Sequence, residues 1–240
     1  HYWKDSYVGI IQEQFPNMVI RNFATGSYSP LLYLVQLKRD VKEFKPTDVI
    51  IQLYANDMGN DEYYYKFTNS KNINEINSVS AQKFWIIKYY RYSYLLRFLR
   101  KVQQNIKVKL KTLFPKTFDN KRARFDDRTF NSFSGWEELG NENNLTTKLL
   151  NEIIKLSEES KYNLYFFYIP LKNRLTSTNS CCESDPYYEH VRKFFTNKNF
   201  IDISNYMSNS KESLFFEHWV YPNQNGHRAI ANAISDVIKN

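Results

Sequence analysis

Cysteine, glycine and long apolar runs are scarce in this chain, and two of these shortages exclude a class of protein. The only cysteines are Cys181 and Cys182. Adjacent cysteines rarely form a disulfide because their side chains diverge, so a disulfide-stapled secreted fold is excluded. No run approaches the roughly 18 apolar residues that a membrane-spanning helix needs. No signal peptide is visible, although a chain that begins at His1 leaves open what precedes it.

Histidine is also rare, which bears on metal binding. The 4 histidines are scattered along the chain and have only the two cysteines for company. Zinc sites need closely spaced His and Cys ligands, so we expect neither a metal site nor any other cofactor.

The composition that is present fits one α/β domain. A chain of 240 residues is long for a minimal α/β fold and short for two independent cores, so we expect a single domain over 1–240 with an insertion at about 60–143. Aromatic residues make up 17%, above the ordinary level. Abundant tyrosine indicates half-wet surfaces as well as core.

Positive charge is concentrated in the insertion. The whole chain carries a formal charge of +8, but residues 83–124 alone hold 13 basic residues against one acidic residue, Asp119. Such a segment favours an anionic partner.

Helical and strand periodicities alternate along the chain. They predict helices over 3–14, 31–44, 146–160, 187–196 and 223–238, and strands over 18–23, 49–53, 164–169 and 200–203. Nearly all-apolar strands that alternate with helices indicate a parallel sheet covered on both faces. We therefore expect a three-layer α/β/α sandwich, with its functional groups beyond the carboxyl ends of the strands.

The loop after the first predicted strand places Gly26 and Ser27 where a strand turns into a helix. Such a turn exposes backbone N–H groups. Equally, Ser27 or Ser29 suits an N-cap for the helix that Pro30 begins.

The loop after the second predicted strand reads Tyr54-Ala55-Asn56-Asp57. A carboxamide at this position can donate to a developing oxyanion. Alternatively, Asn56 forms an Asx-turn that closes the strand.

A third block lies near the C-terminus, where Pro222 and Asn223 are followed by Gly226 and His227. By itself, Pro-Asn simply starts a helix. In order and spacing, however, the three blocks resemble those of the SGNH, or GDSL-like, hydrolases over essentially the whole chain. The resemblance implies the flavodoxin-like α/β/α fold of that family.

The resemblance also implies roles for these residues. Gly26 matches the glycine whose backbone N–H lines the oxyanion hole, and Asn56 matches the asparagine of the Gly-x-Asn-Asp block. The C-terminal block matches at Pro222, Asn223, Gly226 and His227, with His227 expected to pack or hydrogen-bond at the start of the helix. Further binding residues are expected at Ser27, Tyr54, Asp57, Asn223 and His227.

Two departures from the family pattern separate two hypotheses. The family's catalytic Asp and His fall on His218 and Tyr221, and its Gly-Asp-Ser block lies upstream of what corresponds to His1. We therefore interpret the chain as an N-terminally incomplete fragment, since loss of that central strand would leave its neighbours about 9.6 Å apart. One hypothesis is a serine esterase or acyltransferase that acts on an acyl ester of a surface glycan or a lipid, with His218 as a candidate base. The other is a catalytically silent binding module for a glycan or an anionic membrane surface.

The insertion contains a predicted long helix that begins near Trp85 and continues through Ile106. Leu95, Leu99 and Val102 recur at helical spacing beside a basic face. The helix either caps the cleft or lies on anionic lipid or a phosphate-bearing glycan. The second alternative favours an exported or membrane-associated protein, although the compartment stays open. Nucleic acid is disfavoured because no RNA- or DNA-binding motif accompanies the charge.

Overall fold

The computed structural model describes the chain on either side of the basic segment. The described residues are 3–26, 28–80, 136–169, 186–196, 199–208, 214–215 and 222–239. The predicted helix of the insertion lies outside them, as do Ser27, His218, Tyr221 and both cysteines.

Two parallel strands form the centre of the described fold. β1 (Asp48–Tyr54) and β2 (Asn163–Ile169) pair continuously, from Asp48 opposite Asn163 to Tyr54 opposite Ile169. Both match predicted strands, and their parallel pairing confirms the α/β class. The predicted strand at 200–203 is reduced, within the described part of the chain, to one parallel bridge between Phe200 and Phe166.

The predicted strand at 18–23 is wrong. This segment pairs with no other strand among the described residues, and Val19 is 86% exposed. The side chain of Gln12 holds it instead, donating to the carbonyl of Met18 at 2.9 Å and accepting from the N–H of Ile20 at 3.4 Å. β-branched residues form a strand only where a neighbour supplies the ladder, which the local sequence cannot reveal.

Helices precede, separate and follow the two strands. Those described are α1 (Tyr7–Gln14), α2 (Pro30–Phe44), α3 (Asp57–Tyr65), α4 (Leu145–Ser160), α5 (Pro186–Phe195), α6 (Ser204–Ser208) and α7 (Gln224–Ile238), with 3-10 turns at Trp3–Asp5, Ile73–Glu75 and Trp136–Glu138. The sequence predicts α1, α2, α4, α5 and α7 to within a few residues at their ends. It does not predict α3, whose polar residues lack an apolar stripe, or the five-residue α6. None of the described helices is long and apolar enough to cross a membrane.

The strand register divides the side chains between two faces of the sheet. On one face, Phe166 stacks on Phe195 of α5, with ring centroids 4.3 Å apart. On the other, Phe167 meets Tyr7 of α1 at 5.8 Å, and α1 packs against α7. Helices thus cover both faces, which is the expected three-layer α/β/α arrangement.

Candidate active site

Asn56 lies immediately beyond the carboxyl end of β1, where it is the N-cap of α3. Its backbone, at φ −90° and ψ 1°, completes the turn that buried Ala55 begins. The side chain makes no capping hydrogen bond, so the helix that it begins does not consume the carboxamide. This position also suits an anion, because the N-terminal end of a helix carries the positive end of the backbone dipole.

The turn around Asn56 is held by two buried neighbours. The Asp57 carboxyl accepts a hydrogen bond from the N–H of Tyr54 at 2.9 Å. The indole N–H of Trp136 donates to the carbonyl of Ala55, also at 2.9 Å. The turn-closing bond that the sequence suggests for Asn56 is therefore made by Asp57, which leaves Asn56 for other contacts.

Asp57, expected among the binding residues, has its side chain inside the protein and is only 2% exposed. Burial raises its pKa well above the ordinary value, nearby Asp61 raises the pKa further, and the bond from the Tyr54 N–H opposes both. A raised pKa favours the neutral carboxyl. A carboxyl with a raised pKa repels a developing oxyanion beside Asn56 less than an ordinary ionised carboxylate would.

Asp61 lies one turn further along α3 and is fully buried. One of its oxygens accepts from the N–H of Leu31 in α2 at 2.9 Å, and the other accepts from the hydroxyl of Thr146 in α4 at 2.6 Å. Burial raises the pKa of Asp61 to about 7, against the lowering effect of the Ser29 and Thr146 hydroxyls and the Leu31 N–H. A single side chain therefore joins three helices.

Gly26 occupies an exposed turn just before α2. A Cβ added at Gly26 would meet no atom within 4 Å, and the backbone φ of Gly26 is not positive. Neither space nor backbone conformation therefore demands glycine. The loop ends at Ser29, the N-cap of α2, whose side chain makes no capping hydrogen bond, and Pro30 then begins the helix.

Asp61, in the second turn of α3, ties this helix to the first turn of α2. Gly26 precedes α2, and Asn56 precedes α3. The two predicted oxyanion donors therefore lie just before two helices that are joined by the Asp61 carboxyl group. Their convergence on one substrate atom stays a prediction, as do the roles of Ser27, His218 and Tyr221, which lie outside the described residues.

The C-terminal block forms the start of α7. The Asn223 side-chain oxygen accepts from the N–H groups of Asn225 at 2.9 Å and Gly226 at 3.1 Å, and its amide donates to the carbonyl of Phe215 at 3.2 Å. A Cβ on Gly226 would lie 2.3 Å from the Leu214 carbonyl oxygen, so this close approach requires glycine. The Asn223 carboxamide is thus engaged in holding the loop and the helix together.

His227, in the first turn of α7, packs against α1. Its ring centroid lies 5.8 Å from that of Tyr7, whose hydroxyl donates to the side-chain oxygen of Gln52 in β1 at 3.1 Å. Burial lowers the pKa of His227, partly opposed by the charge of Asp5, and this favours a neutral imidazole.

Sequence reasoning missed the residues that support the Asn56 turn. Asp57 and Asp61 are four residues apart, the spacing that places two side chains on one helix face, and that signal was available. The predicted insertion at about 60–143 includes residue 61, however, and so separates it from the Asn56 turn. For Thr146 and Trp136 no local signal exists, since their partners lie 85 and 81 residues away.

Comparison with known proteins adds a family match to this geometry. A family model described as GDSL-like Lipase/Acylhydrolase matches residues 2–234. The matched span contains all three blocks of the predicted site and the basic segment between them. No curated protein and no solved structure matches the chain.

Proposed function

Since the chain belongs to the GDSL-like lipase and acylhydrolase family, we propose that it cleaves or transfers the acyl group of an ester, with Gly26 and Asn56 binding the oxyanion. Family membership supports an esterase or acylhydrolase kind of activity. The assignment of this activity to particular residues is our proposal.

In the proposed reaction, a serine hydroxyl gives its proton to a base while its oxygen attacks the ester carbonyl carbon, the carbonyl oxygen becomes an oxyanion, and the base later returns the proton to the departing alcohol. The Gly26 N–H and the Asn56 carboxamide donate hydrogen bonds to that oxygen. Collapse of the tetrahedral intermediate breaks the bond to the alcohol, which leaves with a proton, and forms an acyl-enzyme. Water or an acceptor hydroxyl then takes the acyl group. His218 is the candidate base.

The position of Asn56 is the observation that carries this proposal. Its carboxamide stands just beyond the carboxyl end of β1, unused by the helix that it begins. In parallel α/β sheets this edge is where substrates bind. Asp57, the adjacent acid, is buried with a raised pKa, so the surroundings of Asn56 suit negative charge on a substrate oxygen.

For the substrate, we propose an acyl ester carried by a surface glycan or a lipid. The concentration of 13 basic residues in 83–124 supports attraction to a phosphate-bearing glycan or an anionic lipid surface. Moderate ionic strength should then weaken activity on an anionic substrate more than activity on p-nitrophenyl acetate, because salt screens exposed charges.

The direct test is Asn56→Ala in the full-length protein. Loss of one oxyanion donor should lower kcat for p-nitrophenyl acetate by about 10²-fold or more. The matched control is Asn163→Ala, which removes a carboxamide at the opposite end of the same strand pair, where it donates to Asp48 at 2.9 Å. An Asn56→Ala rate equal to that of the control would reject the oxyanion assignment.

The alternative of a silent binding module rests on His218 and Tyr221, which stand where the family has its catalytic Asp and His. If the unmodified full-length protein hydrolyses esters, this alternative is rejected. If it does not, the double variant His218→Asp with Tyr221→His should create activity wherever the serine block is present.

A further inference from the structure

We propose that Asp61 and Thr146 are positioning residues for the oxyanion hole, holding the Gly26 loop and the Asn56 turn in a fixed mutual arrangement. This inference rests on the proposed function and extends it to two residues to which the family resemblance assigns no role. Neither residue is placed in contact with substrate.

The start of α2 is held by a side chain from another helix. The first N–H groups of a helix have no partner within the helix, and an N-cap side chain usually supplies one. Ser29 stands at the N-cap but makes no such bond. The carboxyl of Asp61 does so instead, accepting from the Leu31 N–H at 2.9 Å. The end of the Gly26 loop is therefore fixed by a residue of α3.

Asp61 is also connected, through α3, to the turn that contains Asn56. Asp61 lies one helical turn after Asp57, which closes the turn at Tyr54. Its second oxygen is held at 2.6 Å by the Thr146 hydroxyl, itself buried at 2% exposure. Movement of Asp61 would therefore shift the first turn of α3 and the start of α2 together.

The buried position of the Asp61 carboxyl is energetically unfavourable. Burying a carboxyl group is costly, and an apolar side chain at the same position would avoid that cost. Among the described residues, no basic side chain forms an ion pair with Asp61. A buried acid held only by neutral donors beside a proposed site is typical of a functional requirement rather than of stability.

Thr146 and Thr147 offer a matched test, because they are adjacent, buried hydroxyls on α4. The Thr147 hydroxyl accepts from the Gly140 N–H at 3.0 Å and donates to the Asn144 side chain at 3.3 Å, and it makes no hydrogen bond to Asp61. Thr146→Val in the full-length protein should lower kcat for p-nitrophenyl acetate by about tenfold or more, with KM within about twofold, because slight misplacement of donors is costly. Thr147→Val should leave kcat within about twofold even if its melting temperature falls. Thr146→Ser, which restores the hydroxyl, should recover most of the rate.

The outcomes separate this inference from the proposed function. Equal kcat losses in Thr146→Val and Thr147→Val would show a purely structural role and overturn the inference, as would a normal kcat in Thr146→Val alongside a slow Asn56→Ala. An unaffected Asn56→Ala rate overturns the proposed function itself. If Thr146→Val does not fold, the smaller pair Thr146→Ala and Thr147→Ala repeats the comparison with the same expected difference.

Discussion

The two predicted oxyanion donors are built into very different surroundings. Asn56 stands in a turn whose neighbours Ala55 and Asp57 are buried and hydrogen-bonded, one of them to the fully buried Trp136. Gly26 stands in an exposed turn with open space around its Cα. One donor is fixed by the core, and the other by a loop that the core holds only at its far end.

This difference shows where the precision of the site comes from. The Asn56 donor lies at the end of two rotatable side-chain bonds. Dense packing around its turn fixes the position of the backbone from which that side chain extends. A backbone donor needs only that its loop follow one path. At Gly26 that path ends at α2, whose first turn is held by Asp61.

The largest effect is expected at Trp136, on the Asn56 side. Trp136→Ala removes a fully buried ring and leaves the Ala55 carbonyl without its donor, and it should lower the free energy of unfolding by about 3–5 kcal/mol. Denaturant unfolding measures this change. The control is Trp3→Ala, because Trp3 is 49% exposed and its loss should cost far less. Similar losses in the two variants would contradict a rigid Asn56 turn.

An intermediate effect is expected from the carboxyl that joins the two sides. Because the pKa of Asp61 is raised from 3.8 to about 7 in the folded protein, the folded state holds its proton more tightly than the unfolded state. The contribution of Asp61 to the free energy of unfolding should therefore be lost as the pH rises from about 4 to about 7, a fall of roughly 4 kcal/mol. Asp61→Asn should remove this part of the slope. An identical pH profile in wild type and variant, followed by chemical unfolding at each pH, would contradict the raised pKa.

The smallest effect is expected at Gly26. Gly26→Ala should raise the free energy of unfolding by about 0.4–1 kcal/mol, because Ala restricts the unfolded chain and its Cβ meets nothing in the folded one. The matched glycine is Gly226, where a Cβ would lie 2.3 Å from the Leu214 carbonyl oxygen and alanine should be destabilising. Thermal unfolding of the two variants gives the comparison. A marked loss of stability in Gly26→Ala would show that the loop is more tightly packed than described.

The sequence predicts what depends on local periodicity. Helices such as α2 and α4 carry an apolar stripe and clear end signals, and β1 and β2 are apolar runs between helices. The segment at 18–23 has the composition of a strand but no partner among the described residues, and strand formation depends on a partner. Pairing between distant segments is the part that the local sequence does not encode.

The same limit applies to the candidate site. Asn56 and Gly26 can be found because loop position and residue type are local features that fit a family pattern. The support from Thr146 and Trp136 cannot, since each reaches its partner across more than 80 residues of chain. Asp57 illustrates an intermediate case: its position is predictable, but its inward orientation depends on the fold.

The proposed function requires that the Gly26 N–H and the Asn56 carboxamide converge on one substrate oxygen. The most direct measurement is a crystal structure of the full-length protein after reaction with an organophosphonate, whose tetrahedral phosphorus mimics the intermediate of ester cleavage. We expect one phosphonyl oxygen within about 3 Å of both the Gly26 nitrogen and the Asn56 side-chain nitrogen. A phosphonyl oxygen that contacts neither group, or lies on the opposite side of the sheet edge from Asn56, would contradict it.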